Sequence, residues 1–179
     1  MKRILLAVIT VFIFQYTISQ EKLGRPFFTG NVNFTLGINE DYQIGPYDDN
    51  GPLIVPSAAF FRFGFGYEFK KRIAIAFNSG YDLHFNYAVD AFPTYGSLKY
   101  NITEQDDSAH FVEVRYGKMW TPSLNYPDGN YYGIGLGIQA GGDERWNTVF
   151  RIDFHRKGIF GFKNNRLDSL SFGIGFSFF

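Results

Sequence analysis

Two Asp-x-His pairs come nearest to catalytic chemistry in this sequence. Asp82 and His84 lie two positions apart, as do Asp153 and His155. In an extended strand, residues two apart share a face, so each carboxylate could orient its neighbouring imidazole for acid–base chemistry. The same spacing is also typical of ordinary polar residues that line one face of a strand, and we favour that interpretation.

Other motifs with a catalytic or cofactor-binding mechanism are missing from the sequence. There is no nucleophile-elbow motif, no His-x-x-x-His pair and no cysteine. The glycines at 133, 135 and 137 alternate within a strand-like segment, whereas a dinucleotide-binding loop would open a helix. We therefore expect no catalytic residue, no cofactor and no metal ion, and we do not expect an enzyme.

A larger set of charged residues shares one face of the strand-like segments described below. Four are basic and four are acidic, and an unpaired buried charge is expensive, so we expect them to form ion pairs inside the fold. The sequence predicts a lumen charge cluster of Arg62, Glu68, Asp82, Lys99, Glu113, Arg115, Arg151 and Asp153. Its centre is expected at Glu113, Arg115, Arg151 and Asp153, with Arg62 as a further member.

Alternation of large apolar and small or polar residues defines the elements that carry these charges. In the clearest segment, Phe61, Phe63 and Phe65 alternate with Arg62 and Gly64. Such alternation is typical of β-strands. It predicts eight strands, at 30–38, 57–69, 73–85, 92–102, 111–120, 131–140, 148–155 and 170–178. Pro93 leaves open whether the fourth strand begins there or later.

The composition of the two faces predicts which one points inward. Aromatic residues make up 20% of the chain, and most fall on the apolar face, while the other face is mainly glycine, alanine, serine and asparagine with a few charges. An eight-stranded barrel is only just wide enough for packed side chains, so its interior could not hold so many rings. We therefore predict an all-β, eight-stranded, antiparallel, up-and-down transmembrane barrel. A soluble barrel with an apolar interior is the less favoured alternative.

The first residues resemble a secretory signal peptide. Met1-Lys2-Arg3 is a basic start, and residues 4–14 are apolar apart from one threonine. Thr17-Ile18-Ser19 then places small residues at the positions that a signal peptidase reads. The apolar run falls short of the roughly 20 residues that span a bilayer. We expect a signal peptide at 1–19 and one barrel domain at 20–179. The net charge of zero gives no reason to expect a nucleic-acid partner.

The spacing of the strands predicts an orientation. An even strand number puts both chain ends on the periplasmic side, together with the short connections 70–72, 104–107 and 141–147. The connections 39–56, 86–91, 121–130 and 156–167 then lie outside, and three of these are long, as is typical of such barrels.

Two stretches carry a resemblance to a known class. The hairpin FKKRIAIAFNSGYD, from Phe69 to Asp82, and the ending FGIGFSFF, from Phe172 to Phe179, resemble the small eight-stranded outer-membrane proteins of the OmpA/OmpX-like "outer membrane protein beta-barrel" class. The resemblance covers residues 20–179 and concerns fold and compartment. It implies the outer membrane of a Gram-negative envelope, outer-membrane lipid as the surroundings, and the barrel-assembly machinery as a partner during biogenesis. It also implies that Phe179 is part of the assembly signal.

Three classes of function are compatible with such a barrel. We favour a structural or surface-interaction role with a plugged polar lumen. The first alternative is a small pore or an accessory barrel of an envelope transport or secretion system. A lipid- or peptide-processing enzyme is the least favoured. The sequence does not identify a surface ligand or an envelope partner.

Overall fold

The computed structural model describes residues 24–38, 54–85, 89–105, 108–121, 127–141, 145–159 and 165–179. The expected signal peptide, 1–19, lies outside these described residues. Within them, no helix is long and apolar enough to cross a membrane.

Eight antiparallel strands form a closed barrel. Each strand pairs with the next along the chain, and the last pairs with the first, so the sheet has no free edge. The predicted fold class is confirmed. The strands are β1 (Gly24–Ile38), β2 (Ile54–Phe69), β3 (Ile73–His84), β4 (Val89–Gln105), β5 (Ser108–Trp120), β6 (Gly129–Gly141), β7 (Trp146–Lys157) and β8 (Leu167–Phe178).

Most strands extend beyond the segments that alternation predicts. β1 shows the largest difference, because it begins at Gly24 rather than at residue 30 and pairs along its length with β2, from Gly24 opposite Phe69. Backbone pairing with a long neighbour continues a strand even where the side chains do not alternate in polarity. The sequence pattern therefore locates the middle of a strand better than its ends.

Pro93 lies inside β4. The β3–β4 pairing runs up to Ser79 opposite Thr94 and resumes at Asp82 opposite Ala91, so the ladder is interrupted beside the proline. A proline has no N–H to donate, which accounts for the gap.

The outer surface of the barrel is apolar. Phe63 and Phe77 are 64% and 66% exposed, and the other outward positions of all eight strands carry mostly Phe, Ile, Leu, Tyr and Trp. A continuous apolar surface of this extent is unsuited to water and matches the hydrocarbon core of a bilayer. The predicted direction of the two faces is therefore observed.

The interior differs from the predicted one. Besides small and charged residues, it contains large side chains at Phe60, Tyr95, Phe111, Met119 and Tyr131, all nearly inaccessible. The prediction of an interior of small residues and charges was wrong on this point. A glycine on the neighbouring strand makes room for one of them, since the ring of Phe111 covers Gly137.

The connections have different lengths at the two ends of the barrel. The end that holds Gly24 and Phe179, called the terminal end here, has connections at 70–72, 106–107 and 142–145. The opposite end, called the loop end, has connections at 39–53, 85–88, 121–128 and 158–166. Three of these four are longer than any at the terminal end, which agrees with the predicted asymmetry.

Candidate functional site

All eight predicted lumen charges lie inside the barrel, each no more than 9% exposed. They do not form one cluster. They form three groups along the barrel axis, which we call the central ring, the loop-end cluster and the terminal-end cluster.

The central ring joins two residues of β5, Glu113 and Arg115, to two of β7, Arg151 and Asp153. Each arginine binds both carboxylates. Arg115 lies 3.0 Å from Glu113 Oε1 and 2.7 Å from Asp153 Oδ1. Arg151 lies 2.7 Å from Glu113 Oε2 and 2.8 Å from Asp153 Oδ2. The structure thus brings together the four residues placed at the centre from the sequence.

A glycine makes the central ring geometrically feasible. Strand β6 lies between β5 and β7, and Gly135 stands opposite Glu113 on one side and Asp153 on the other. A Cβ atom there would overlap Asp153 Oδ1 and lie 2.9 Å from Arg115 Nη2. Asn33 of β1 completes the ring, since its Nδ2 donates to Asp153 Oδ2 at 2.7 Å.

The loop-end cluster contains Arg62, which was expected in the central ring. Arg62 instead forms an ion pair with Asp82. Lys157 binds the other oxygen of the same carboxylate at 2.5 Å, and its Nζ lies 2.7 Å from His84 Nε2. The β2–β3 register accounts for the position of Arg62, because it lies opposite Gly80, which leaves room for the guanidinium.

Lys157 is a buried charge that the sequence prediction missed. The seventh strand was expected to end at residue 155, and this put Lys157 in a connection. The strand in fact continues, so Lys157 shares the inward face with Asp153 and His155, and it is 0% exposed. Extending the alternation by two residues would have found it.

The terminal-end cluster is built around Glu68 and Lys99. Glu68 Oε1 lies 3.2 Å from Arg25 Nε, and Glu68 Oε2 lies 3.8 Å from Lys99 Nζ. Lys99 also donates to Gln139 Oε1 at 2.9 Å. Arg25 is partly exposed at the end of the barrel, whereas Glu68 and Lys99 are buried.

In neither Asp-x-His pair does the aspartate bind and orient its own histidine. The carboxylate of Asp82 is held by two cations, and that of Asp153 by the central ring. His155 instead contacts Tyr131 Oη at 2.6 Å and Ser171 Oγ at 2.8 Å. Within the described ranges, no three His, Asp or Glu side chains are grouped so that they could hold a metal ion.

An apolar cap lies inside the barrel near the loop end. Ala91, Tyr95, Met119, Tyr131 and Ile159 pack together and are almost completely buried. Ile159 follows β7, and Gly158 N donates to Asn130 O at 2.8 Å, which continues the pairing with β6 by one step. We call this group of side chains the loop-end cap.

Phe179 lies at the terminal end, just past β8. Its N–H donates to Arg145 O at 2.9 Å, and its ring centroid lies 3.5 Å from Arg25 Cζ and 5.7 Å from the ring of Phe27. The preceding Phe178 is exposed on the outer surface. Phe179 therefore packs at the mouth of the lumen rather than continuing the apolar outer face.

Solved structures share this architecture. Neisserial surface protein A is 10% identical, with a TM-score of 0.64, covering 87% of this chain and 97% of that one. The N-terminal β-barrel domain of Pseudomonas aeruginosa OprF is 12% identical, with a TM-score of 0.55, covering 84% and 96%. The chain has the fold of a small outer-membrane β-barrel. No family model matches the sequence, and no curated protein matches it.

This fold bears out the resemblance inferred from the sequence, and together with the apolar outer surface it supports the predicted outer-membrane location. At 10–12% identity the likeness concerns the fold and carries no activity over to this chain.

Proposed function

We propose that the protein is an integral outer-membrane barrel with a plugged lumen, and that its role is structural or lies in contacts made at its surface. The observation that carries this proposal is the central ring. Two arginines and two carboxylates from β5 and β7, the strands on either side of β6, meet inside the barrel at 2.7–3.0 Å. Asn33 of β1, the strand opposite β5, donates to Asp153 at 2.7 Å. Side chains in such contact occupy the space through which a solute would pass.

The cavity that lies among the charged groups of the lumen is too small for a pore. In the described part of the chain, the lumen cavity has a volume of about 30 Å³, which is room for about two water molecules. The loop-end cap lies beyond it in the direction of the longer connections. These observations favour a plug over the alternative of a small conducting pore.

An enzymatic role has one structural feature in its favour, and burial argues against it. Ser171 Oγ lies 2.8 Å from His155 Nε2, a distance at which an imidazole could activate a hydroxyl. Both residues are 0% exposed within the barrel. A substrate cannot reach this serine without opening the wall or the cap, so we assign the contact to packing of the lumen.

The proposed interaction surface is the loop end. Its connections 39–53, 121–128 and 158–166 are the long ones, and in an outer-membrane orientation they face away from the cell. We propose outer-membrane lipid as the surroundings of the wall and the barrel-assembly machinery as the partner during biogenesis. A ligand or envelope partner of the loop end would bind these connections.

A strain that lacks the gene separates the structural role from the surface role. It is complemented with the full chain or with a variant in which residues 39–53 are replaced by Asn-Gly. We expect to find both proteins in the outer-membrane fraction. We also expect each to migrate differently in gels before and after boiling. If the shortened barrel restores detergent resistance, the role is structural; if it does not, the connection carries the function. Recovery of the full chain as a soluble periplasmic species would contradict the proposal.

A further inference from the structure

The lumen cavity lies between the central ring and the terminal-end cluster. Its volume is about 30 Å³. Charged residues on its lining are Lys99, Glu113 and Arg151, and the rings of Phe27 and Phe111 form part of the wall. The cavity is therefore small, mixed in polarity and bordered by two cations and one carboxylate.

Lys99 is the least well compensated cation on this lining. Its ammonium group carries three N–H donors, one of which is taken by the neutral amide oxygen of Gln139 at 2.9 Å. The carboxylate in its ion pair, Glu68, is 3.8 Å away and is bound more closely by Arg25, at 3.2 Å. Lys99 itself is only 9% exposed. A buried ammonium in this position gains from a further acceptor.

The carboxylate on the lining does not supply that acceptor. Both oxygens of Glu113 are engaged in the central ring, one by Arg115 at 3.0 Å and the other by Arg151 at 2.7 Å. The ring as a whole carries two positive and two negative charges. It leaves no negative charge over for Lys99.

We propose that this cavity binds one small inorganic anion of the size of chloride or bromide, held by Lys99 Nζ. The inference goes beyond the proposed function, since it concerns a ligand inside the plug. A cavity with room for about two water molecules accepts a halide and excludes gluconate. The anion enters at the terminal end, where the partly exposed Arg25 lies beside Phe179.

Halide binding is measured on the folded barrel in detergent by the chloride-35 NMR line width and by urea unfolding. Unfolding is followed in sodium bromide and in sodium gluconate at equal ionic strength. An anion that binds only the folded state raises the folded-to-unfolded ratio about 100-fold when its concentration reaches about 100 times its dissociation constant. We expect bromide to raise the urea midpoint, gluconate to leave it unchanged, and the chloride line to broaden with the barrel and sharpen on addition of bromide.

Two variants and a control assign the effect to this cavity. Lys99→Met removes the cation, and Ala76→Val fills part of the cavity while keeping every charge, so both are expected to abolish the bromide shift and the line broadening. Lys118→Met removes an exposed cation from the outer surface and should keep both effects. The NMR measurement on the unaltered barrel does not depend on whether a variant folds. Absence of broadening and of a bromide shift in the unaltered barrel would overturn the proposal and leave water as the occupant.

Discussion

Lys157 Nζ lies 2.5 Å from Asp82 Oδ2, and this contact ties β7 to β3 across the interior of the barrel. Both side chains are 0% exposed. The Lys157 ammonium also lies 3.8 Å from the centroid of the Phe60 ring, so a cation, a carboxylate and an aromatic face meet beneath the loop-end cap.

Replacing Lys157 with methionine should destabilise the barrel. Asp82 keeps Arg62 as its buried ion-pair partner, so the loss is that of one buried, charged hydrogen bond, about 1.5–3 kcal/mol. Urea unfolding in detergent measures the change. Lys118→Met is the matched control, because Lys118 is exposed near Trp120 and its loss should cost about 0–1 kcal/mol. Equal losses in the two variants would show that the loop-end cluster is hydrated.

Alanine substitutions at two glycines, one beside the central ring and one on the outer surface, test how tightly the ring is packed. Gly135→Ala places a methyl group against Asp153 and Arg115 in the central ring, and overpacking of this kind costs about 1–3 kcal/mol. Gly96→Ala adds the same methyl group on the exposed side of β4, where a Cβ would meet nothing within 4 Å. We expect that variant to unfold at the same urea concentration as the original or slightly higher. A tolerated alanine at 135 would mean that the central ring is looser than described.

Two lysines in the β2–β3 turn adopt left-handed backbone conformations that cost free energy, and suitable substitutions can remove this cost. Arg72 N donates to Phe69 O at 2.9 Å, and between them Lys70 and Lys71 have φ angles of 46° and 58°. Two successive positive φ angles define a type I′ turn, for which Asn-Gly is preferred. The double variant Lys70→Asn/Lys71→Gly should raise the free energy of unfolding by about 1 kcal/mol. Lys70→Gln/Lys71→Gln removes the same charges without relieving the backbone, and a similar gain there would assign the effect to charge.

The role of Phe179 as an assembly signal remains a prediction. Phe179→Ala should slow insertion in cells, seen as less heat-modifiable protein in the outer membrane, while Phe178→Ala should assemble more nearly normally. The contact of Phe179 with Arg25 adds a structural effect, for which a cation–π interaction at a partly exposed site contributes about 0.5–1 kcal/mol. Urea unfolding of the purified, refolded original and Phe179→Ala barrels measures this structural effect separately from assembly in cells. Normal yield of the Phe179 variant in cells would count against the signal.

Alternation of side chains predicted the barrel because β3 and β8 place large apolar residues on one face and small or polar residues on the other. It also assigned the lumen charges to the inward face. It could not assign Arg62 to its partner, because alternation specifies the face of a residue and not its height along the barrel. The position of a residue along the barrel axis depends on the register between neighbouring strands. In the β2–β3 register, Arg62 lies opposite Gly80 and Phe60 lies opposite Asp82. For the same reason the contact of His155 with Ser171 carried no signal in the sequence.

Conductance of the purified barrel in planar lipid bilayers tests the plugged lumen most directly. We propose that the central ring and the loop-end cap close the lumen, so we predict no stable conductance steps from the unaltered protein in salt on both sides of the bilayer. Trypsin resistance of the same sample in lipid vesicles verifies that the barrel is inserted and folded. Reproducible open levels from the folded, unaltered barrel would contradict the plug and favour a pore.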